Sequence, residues 1–140
     1  VGDKMDTDTL GSSIFGPFIA GIIYLIGGID ELMTALMIIM SIDFVLGIMA
    51  ADSAQDIISY KIFKVILRKA AMILMIMLVV QLDLVTDSGH FMRTTMILFL
   101  IGVEGIAIVT SLKKIGISVP QFFISIFSKL RDNDDKKRGK

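Results

Sequence analysis

Two carboxylates stand where carboxylates are costly. Asp43 is the only charged residue in the apolar stretch 32–51, and Glu104 is the only one in the stretch 94–112. A charge at the centre of a bilayer costs about 2.5–3.5 kcal/mol on insertion scales, so such residues usually face a bundle interior or water. Each acid lies eight residues before the end of its stretch, about 12 Å if the stretch is helical. The two carboxyls are therefore expected at one depth. There they could share a proton, hydrogen-bond another helix or line an aqueous path, with the hydroxyls of Thr110 and Ser111 as further intramembrane polar groups. Asp83, near the end of the stretch 70–86, is expected to be a solvated helix terminus.

Other chemistry is hard to assemble. With no cysteine, disulfides, thiolate metal sites and a cysteine nucleophile are excluded. His90, the sole histidine, sits beside Asp87 and Ser88 in a polar loop and is expected to face solvent. No Ser-His-Asp set can be built in the apolar part, and no glycine-rich phosphate loop follows a strand. No enzyme, cofactor or metal site is expected. The 14 basic and 14 acidic residues balance, which also argues against a global basic field for nucleic acid.

The elements that must position these acids are four apolar segments, about 14–29, 32–51, 70–86 and 94–112. Spanning the hydrocarbon takes about 20 apolar residues, with a range of roughly 17–25. The second and fourth segments qualify, and the third does so narrowly. The first is short and carries Gly16, Pro17, Gly21, Gly27 and Gly28, so it could span a thinned bilayer, re-enter or lie partly in the interface. Runs such as Met72–Val80 and Met96–Ile101 are apolar all round, a pattern that needs lipid or total burial. The reading is an all-α membrane protein with three to four transmembrane helices. Residues 1–13 form an N-terminal tail without the basic start of a secretory signal.

Basic residues are sorted by position. Twelve of the 14 fall within 52–69 or after Leu112, two regions an even number of spans apart. The positive-inside rule places both regions, and the C-terminus, in the cytoplasm.

Residues 53–69 read as a basic amphipathic linker helix, with Lys61, Lys64 and Arg68 in one stripe and Lys69 beside them. Such a helix suits an anionic lipid surface, and equally it could be the first turns of the third span. Residues 118–131 read as a second amphipathic helix. Phe122, Phe123, Ile126, Phe127 and Leu130 form its apolar face, with Gln121, Ser125, Lys129 and Arg131 away from it. It is too short to span and is expected on the inner surface or against a neighbouring subunit. Residues 132–140 read as a charged, disordered tail. Gly47 with Ala51 is a small-xxx-small pair, and Gly102 and Gly105 flank Glu104; small residues allow close helix approach in lipid. Asp43 and Gly47 share a helix face, which points to a subunit contact there and to a homo-oligomer.

The order of these features resembles the toxin secretion/phage lysis holin family, from about Tyr24 to Leu130. The family's Y-L-x-G-G-x-D-x-L turn reads YLIGGIDEL here, Tyr24–Leu32. Its I-D-Y-x-x-G-x-x-A-A stretch appears as Ile42-Asp43-Phe44 followed by Gly47, Ala50 and Ala51. Arg68-Lys69 matches the basic approach to helix three, and Asp83 its closing acid. Glu104-Gly105-Ile106 represents the N-E-G-I-S-I-x-E-N stretch, and Ile115-Gly116 with Pro120 the L-G-x-P-x-P exit. Val103, Ala107, Thr110, Ser111 and Ser118 depart from the family's Asn, Ser, Glu, Asn and Pro, so the polar surroundings of Glu104 are reduced.

The resemblance implies a holin, which accumulates in the bacterial cytoplasmic membrane, oligomerises and opens lesions. An endolysin, or a large toxin, is the passing cargo. Two alternatives stand beside it: a small homo-oligomeric ion or proton channel, and an antiholin-type membrane regulator.

Overall fold

The computed structural model describes residues 2–51 and 60–138 of the 140. Among them are five helices and no strand: α1 (Gly2–Leu25), α2 (Glu31–Met49), α3 (Tyr60–Thr86), α4 (Phe91–Ile115) and α5 (Gln121–Arg138). Helix α4 is the centre of the bundle, packing against α2, α3 and α5, while α1 meets α3.

The core is a single thin seam. Met33, Leu36 and Met40 of α2 recur at helical spacing, as do Met72, Ile76, Val79 and Val80 of α3 and Met96, Ile97, Leu100 and Ile101 of α4. These positions share one face of each helix, so the three faces close on one another. The opposite faces are also apolar. Val45, Leu74, Leu78 and Val85 are more than half exposed. A soluble monomer rarely exposes contiguous apolar surface on this scale; a bilayer supplies the missing partner. Three helices are long and apolar enough to cross one: Glu31–Met49, Lys61–Thr86 and Phe91–Ile115. The apolar part of α1, Ser13–Leu25, is shorter.

Several element boundaries differ from the sequence expectation. Residues 2–13, expected as a tail, are helical and continuous with the first apolar segment. That helix ends at Leu25 because Gly27 and Gly28 turn the chain with φ of +84° and +90°, a backbone region open to glycine. Residues 60–69 are the first turns of α3 and run unbroken into the span; the part of the expected linker before them lies outside the described residues. Finally, α5 continues to Arg138.

The course of α5 is the largest difference. Gly116, with φ +100°, ends α4 in a left-handed cap, and its N–H and that of Ile117 bond back to Leu112, the helix-ending turn glycine favours. The chain then reverses. Phe127 covers Gly105, while Leu130 and the Arg131 backbone cover Gly102, so α5 runs antiparallel along its own chain's α4. A Cβ at Gly102 would lie 2.9 Å from the Phe127 carbonyl oxygen, and one at Gly105 would overlap the Phe127 ring. Only hydrogen at these two α-carbons permits the approach. The apolar face expected of α5 is thereby divided: Phe127 and Leu130 are half-buried on α4, whereas Phe122, Phe123 and Ile126 are exposed.

Candidate functional site: ion clusters at the two ends of the bundle

The two acids singled out by their surroundings meet at one cation. Lys69 Nζ donates to Asp43 Oδ2 at 2.6 Å and also to Glu104 Oε2. Arg68 approaches the other Glu104 oxygen at 3.5 Å. Each member comes from a different spanning helix except the two cations, which are adjacent on α3. Glu104 is fully buried, Lys69 and Asp43 are nearly so, and the Arg68 side chain is half exposed. Two carboxylates therefore face two cations. Such a set is held by mutual compensation: removing one member leaves a buried charge without its partner.

By sequence Lys69 falls with the surface cations; its place at the centre comes from the structure. One signal was available. Lys61, Lys64 and Arg68 follow i, i+3, i+7, and Lys69 falls off that stripe, so it must point elsewhere on the helix.

Beside the network, a cavity of about 440 Å³ opens between α2, α3 and α4. It gathers many of the sequence candidates: Asp43 and Gly47 from α2, Ala51 two residues past its end, Lys61, Lys64 and Arg68 from α3, and Thr110 and Ser111 from α4. Thr110 donates to the Ile106 carbonyl at 3.0 Å. Gly47 is exposed with no atom near the place of a Cβ. Gly102 and Gly105 lie on another side of α4, under α5, and do not join this group.

The opposite end of the bundle carries a second cluster, built on Arg93. Its side chain is 3% exposed. Nε donates to the Ile26 carbonyl at 2.7 Å, one terminal nitrogen to the Gly28 carbonyl at 2.9 Å, and both terminal nitrogens to Asp30, at 2.7 and 3.2 Å. The YLIGGIDEL turn is thus a socket for a guanidinium. Gly27 makes room for it, since a Cβ there would stand 2.7 Å from Arg93 Nε. Asp30 also caps α2, accepting the Met33 N–H at 2.9 Å. The Arg93 hydrogen bond is the main reason, with the Met33 N–H next, that the Asp30 carboxyl is held down to about 2 from 3.8.

Asp83 completes this end and corrects the expectation of a solvated terminus. It is 4% exposed, accepting the Ser88 hydroxyl at 2.6 Å and the N–H groups of Met92 and Arg93 at 3.0 and 2.8 Å. It caps the start of α4 from the end of α3, where His90 supplies no side-chain cap. Neither Arg93 nor its socket was foreseen. The signal was a lone cation in the stretch 70–112, otherwise without Lys or Arg.

An all-helical bundle with three apolar helices and charges paired inside it is a small polytopic membrane protein. The chain belongs to the bacteriophage holin family, which its residues 20–132 match. That family is not an enzyme family. The chain is similar to an uncharacterised protein of Listeria monocytogenes, 28% identical over 120 residues that cover 84% of this chain and 86% of the relative. A Listeria innocua protein is 27% identical over the same shares, and a Clostridium perfringens protein is 24% identical over 81% of this chain and 85% of its own; both are likewise uncharacterised. No solved structure matches the chain.

Proposed function

We propose that this protein is a lysis holin of a Gram-positive host. It assembles as a homo-oligomer in the bacterial cytoplasmic membrane and opens lesions through which a folded endolysin, or a large toxin, crosses without a signal peptide. The observation that carries this reading is the family match from residue 20 to residue 132 on a chain with three apolar helices. A subunit of this size encloses a wide opening only as a multimer. The positive-inside rule orients the end with Lys61, Lys64, Arg68, Lys113 and Lys114 to the cytoplasm, which puts the Arg93 socket outside. The C-terminal segment then starts from the cytoplasmic side.

Co-expression with an endolysin lacking a signal peptide tests the reading. Lysis that requires both proteins is the expected result. Ion leak without enzyme release would instead identify a narrow ion or proton channel, a reading favoured by the paired charges of Asp43, Lys69 and Glu104. Delay of lysis by another holin would identify an antiholin.

A further inference from the structure

We infer that α5, docked on α4 as it stands here, is the water-facing wall of the open lesion; this rests on the holin reading. The helix has three sides. Phe127, Leu130 and the Arg131 backbone lie against α4, Phe127 on Gly105 and the other two on Gly102. Phe122, Phe123 and Ile126 form an exposed apolar side. Gln121, Ser125, Lys129 and Asp132 follow i, i+4, i+8, i+11 and are all exposed, so they make one polar stripe about 17 Å long at 1.5 Å per residue.

The depth of that stripe is what demands water. Gly102 and Gly105 lie in the middle of the spanning helix Phe91–Ile115. Arg131 sits against Gly102, and it pairs with Asp132 in an exposed contact at 3.2 Å. Lys129, Arg131 and Asp132 are thus held at mid-bilayer depth on the outside of the bundle, where lipid is a poor solvent for them. Between its ends the exposed side of α3, like that of α2, is mainly apolar with scattered polar groups such as Ser41 and Gln81, and offers no continuous polar stripe for a wide aqueous opening. The stripe on α5 can line one. Around a lipid-embedded subunit α5 belongs at the cytoplasmic surface; against α4 it belongs beside water.

The chain has no cysteine, so single cysteines report without background. Full-length Ser125→Cys and Lys129→Cys proteins in planar bilayers are treated with a charged methanethiosulfonate reagent. Modification several-fold faster than at lipid-facing Leu78→Cys, with a loss of conductance, is expected. Modification that leaves conductance unchanged overturns the wall. A second arm uses Gly105→Leu, whose side chain would overlap the Phe127 ring and so lift α5 from α4. Lost conductance with membrane insertion retained supports the wall, and wild-type conductance overturns it. An unmodified chain that never conducts defeats the holin reading itself, a separate outcome.

Discussion

Asp83 accepts the backbone N–H of Arg93 at 2.8 Å, so the last turns of α3 cap the first turn of α4. The same Arg93 reaches back across the bundle to the 26–30 turn. One residue therefore ties three segments together, its main chain to α3 and its side chain to the turn before α2.

Replacing Asp83 by Ala leaves two N–H groups at the start of α4 without their acceptor. Loss of a capping acid costs about 0.5–2 kcal/mol. Thermal unfolding in micelles should fall accordingly, and amide exchange at Met92 and Arg93 should accelerate while Leu100 stays protected. Unchanged exchange at those two amides would show that the cap is not used.

Arg93→Lys keeps the charge but not the planar fork. Carbonyls of Ile26 and Gly28 lose their donors, and hydrogen bonds to charged groups are each worth about 1.5–3 kcal/mol. The expected result is a lower melting temperature with new protease cleavage in the 26–30 turn. Wild-type resistance there would contradict the socket.

Gly27 and Gly28 separate backbone strain from crowding. Both have positive φ, but only at Gly27 would a Cβ meet Arg93. Gly27→Ala should be the more damaging by about 1–3 kcal/mol, the usual cost of overpacking. In an Arg93→Ala background the difference should shrink, as a double-mutant cycle would measure.

The Asp30 carboxyl gives a pH dependence with a fixed sign. Its folded value, about 2, is depressed below 3.8. A depressed acid contributes stability that is present above its unfolded value and lost as pH falls through the folded one. The contribution should therefore fade between pH 3.8 and 2, modestly, because half of the Asp30 side chain faces solvent. Carboxyl titration by NMR should find Asp30 depressed to about 2, and Arg93→Ala should raise it toward 3.8 while the Met33 N–H still holds it somewhat below.

Lys69→Met should be the most harmful change in the ion network. It strands Asp43 and Glu104, and breaking a buried pair costs about 3–5 kcal/mol. Adding Asp43→Asn and Glu104→Gln should restore much of the membrane-inserted protein. If the triple variant also lyses on schedule with endolysin, the network serves only to hold the helices.

What was legible in the sequence followed from counting along each segment. Depth is additive at 1.5 Å per residue, so the level of Asp43 with Glu104 could be read without knowing how the helices are arranged. Which residue would sit between them depends on rotation about the helix axis and on neighbours. Lys69 was therefore classed by its sequence neighbourhood. Arg93 and Asp83 escaped for the same reason, since their partners lie 63 to 67 and 5 to 10 residues away. The fold-back of α5 was hidden differently. Gly102 and Gly105 marked a close approach, but two glycines do not name the helix that fills them. An amphipathic pattern likewise suits a membrane surface or a neighbouring helix equally.

The two ends of the bundle are fastened in different ways. At the Arg93 end, the bonds seize the main chain, at the carbonyls of Ile26 and Gly28 and the amides of Met92 and Arg93. At the Lys69 end, the bonds that join Asp43, Arg68, Lys69 and Glu104 run from side chain to side chain, beside a cavity. The two ends would therefore respond differently to substitution: side-chain changes at the Lys69 end leave the main chain without a lost bond, whereas those at the Arg93 end release turns and helix starts directly.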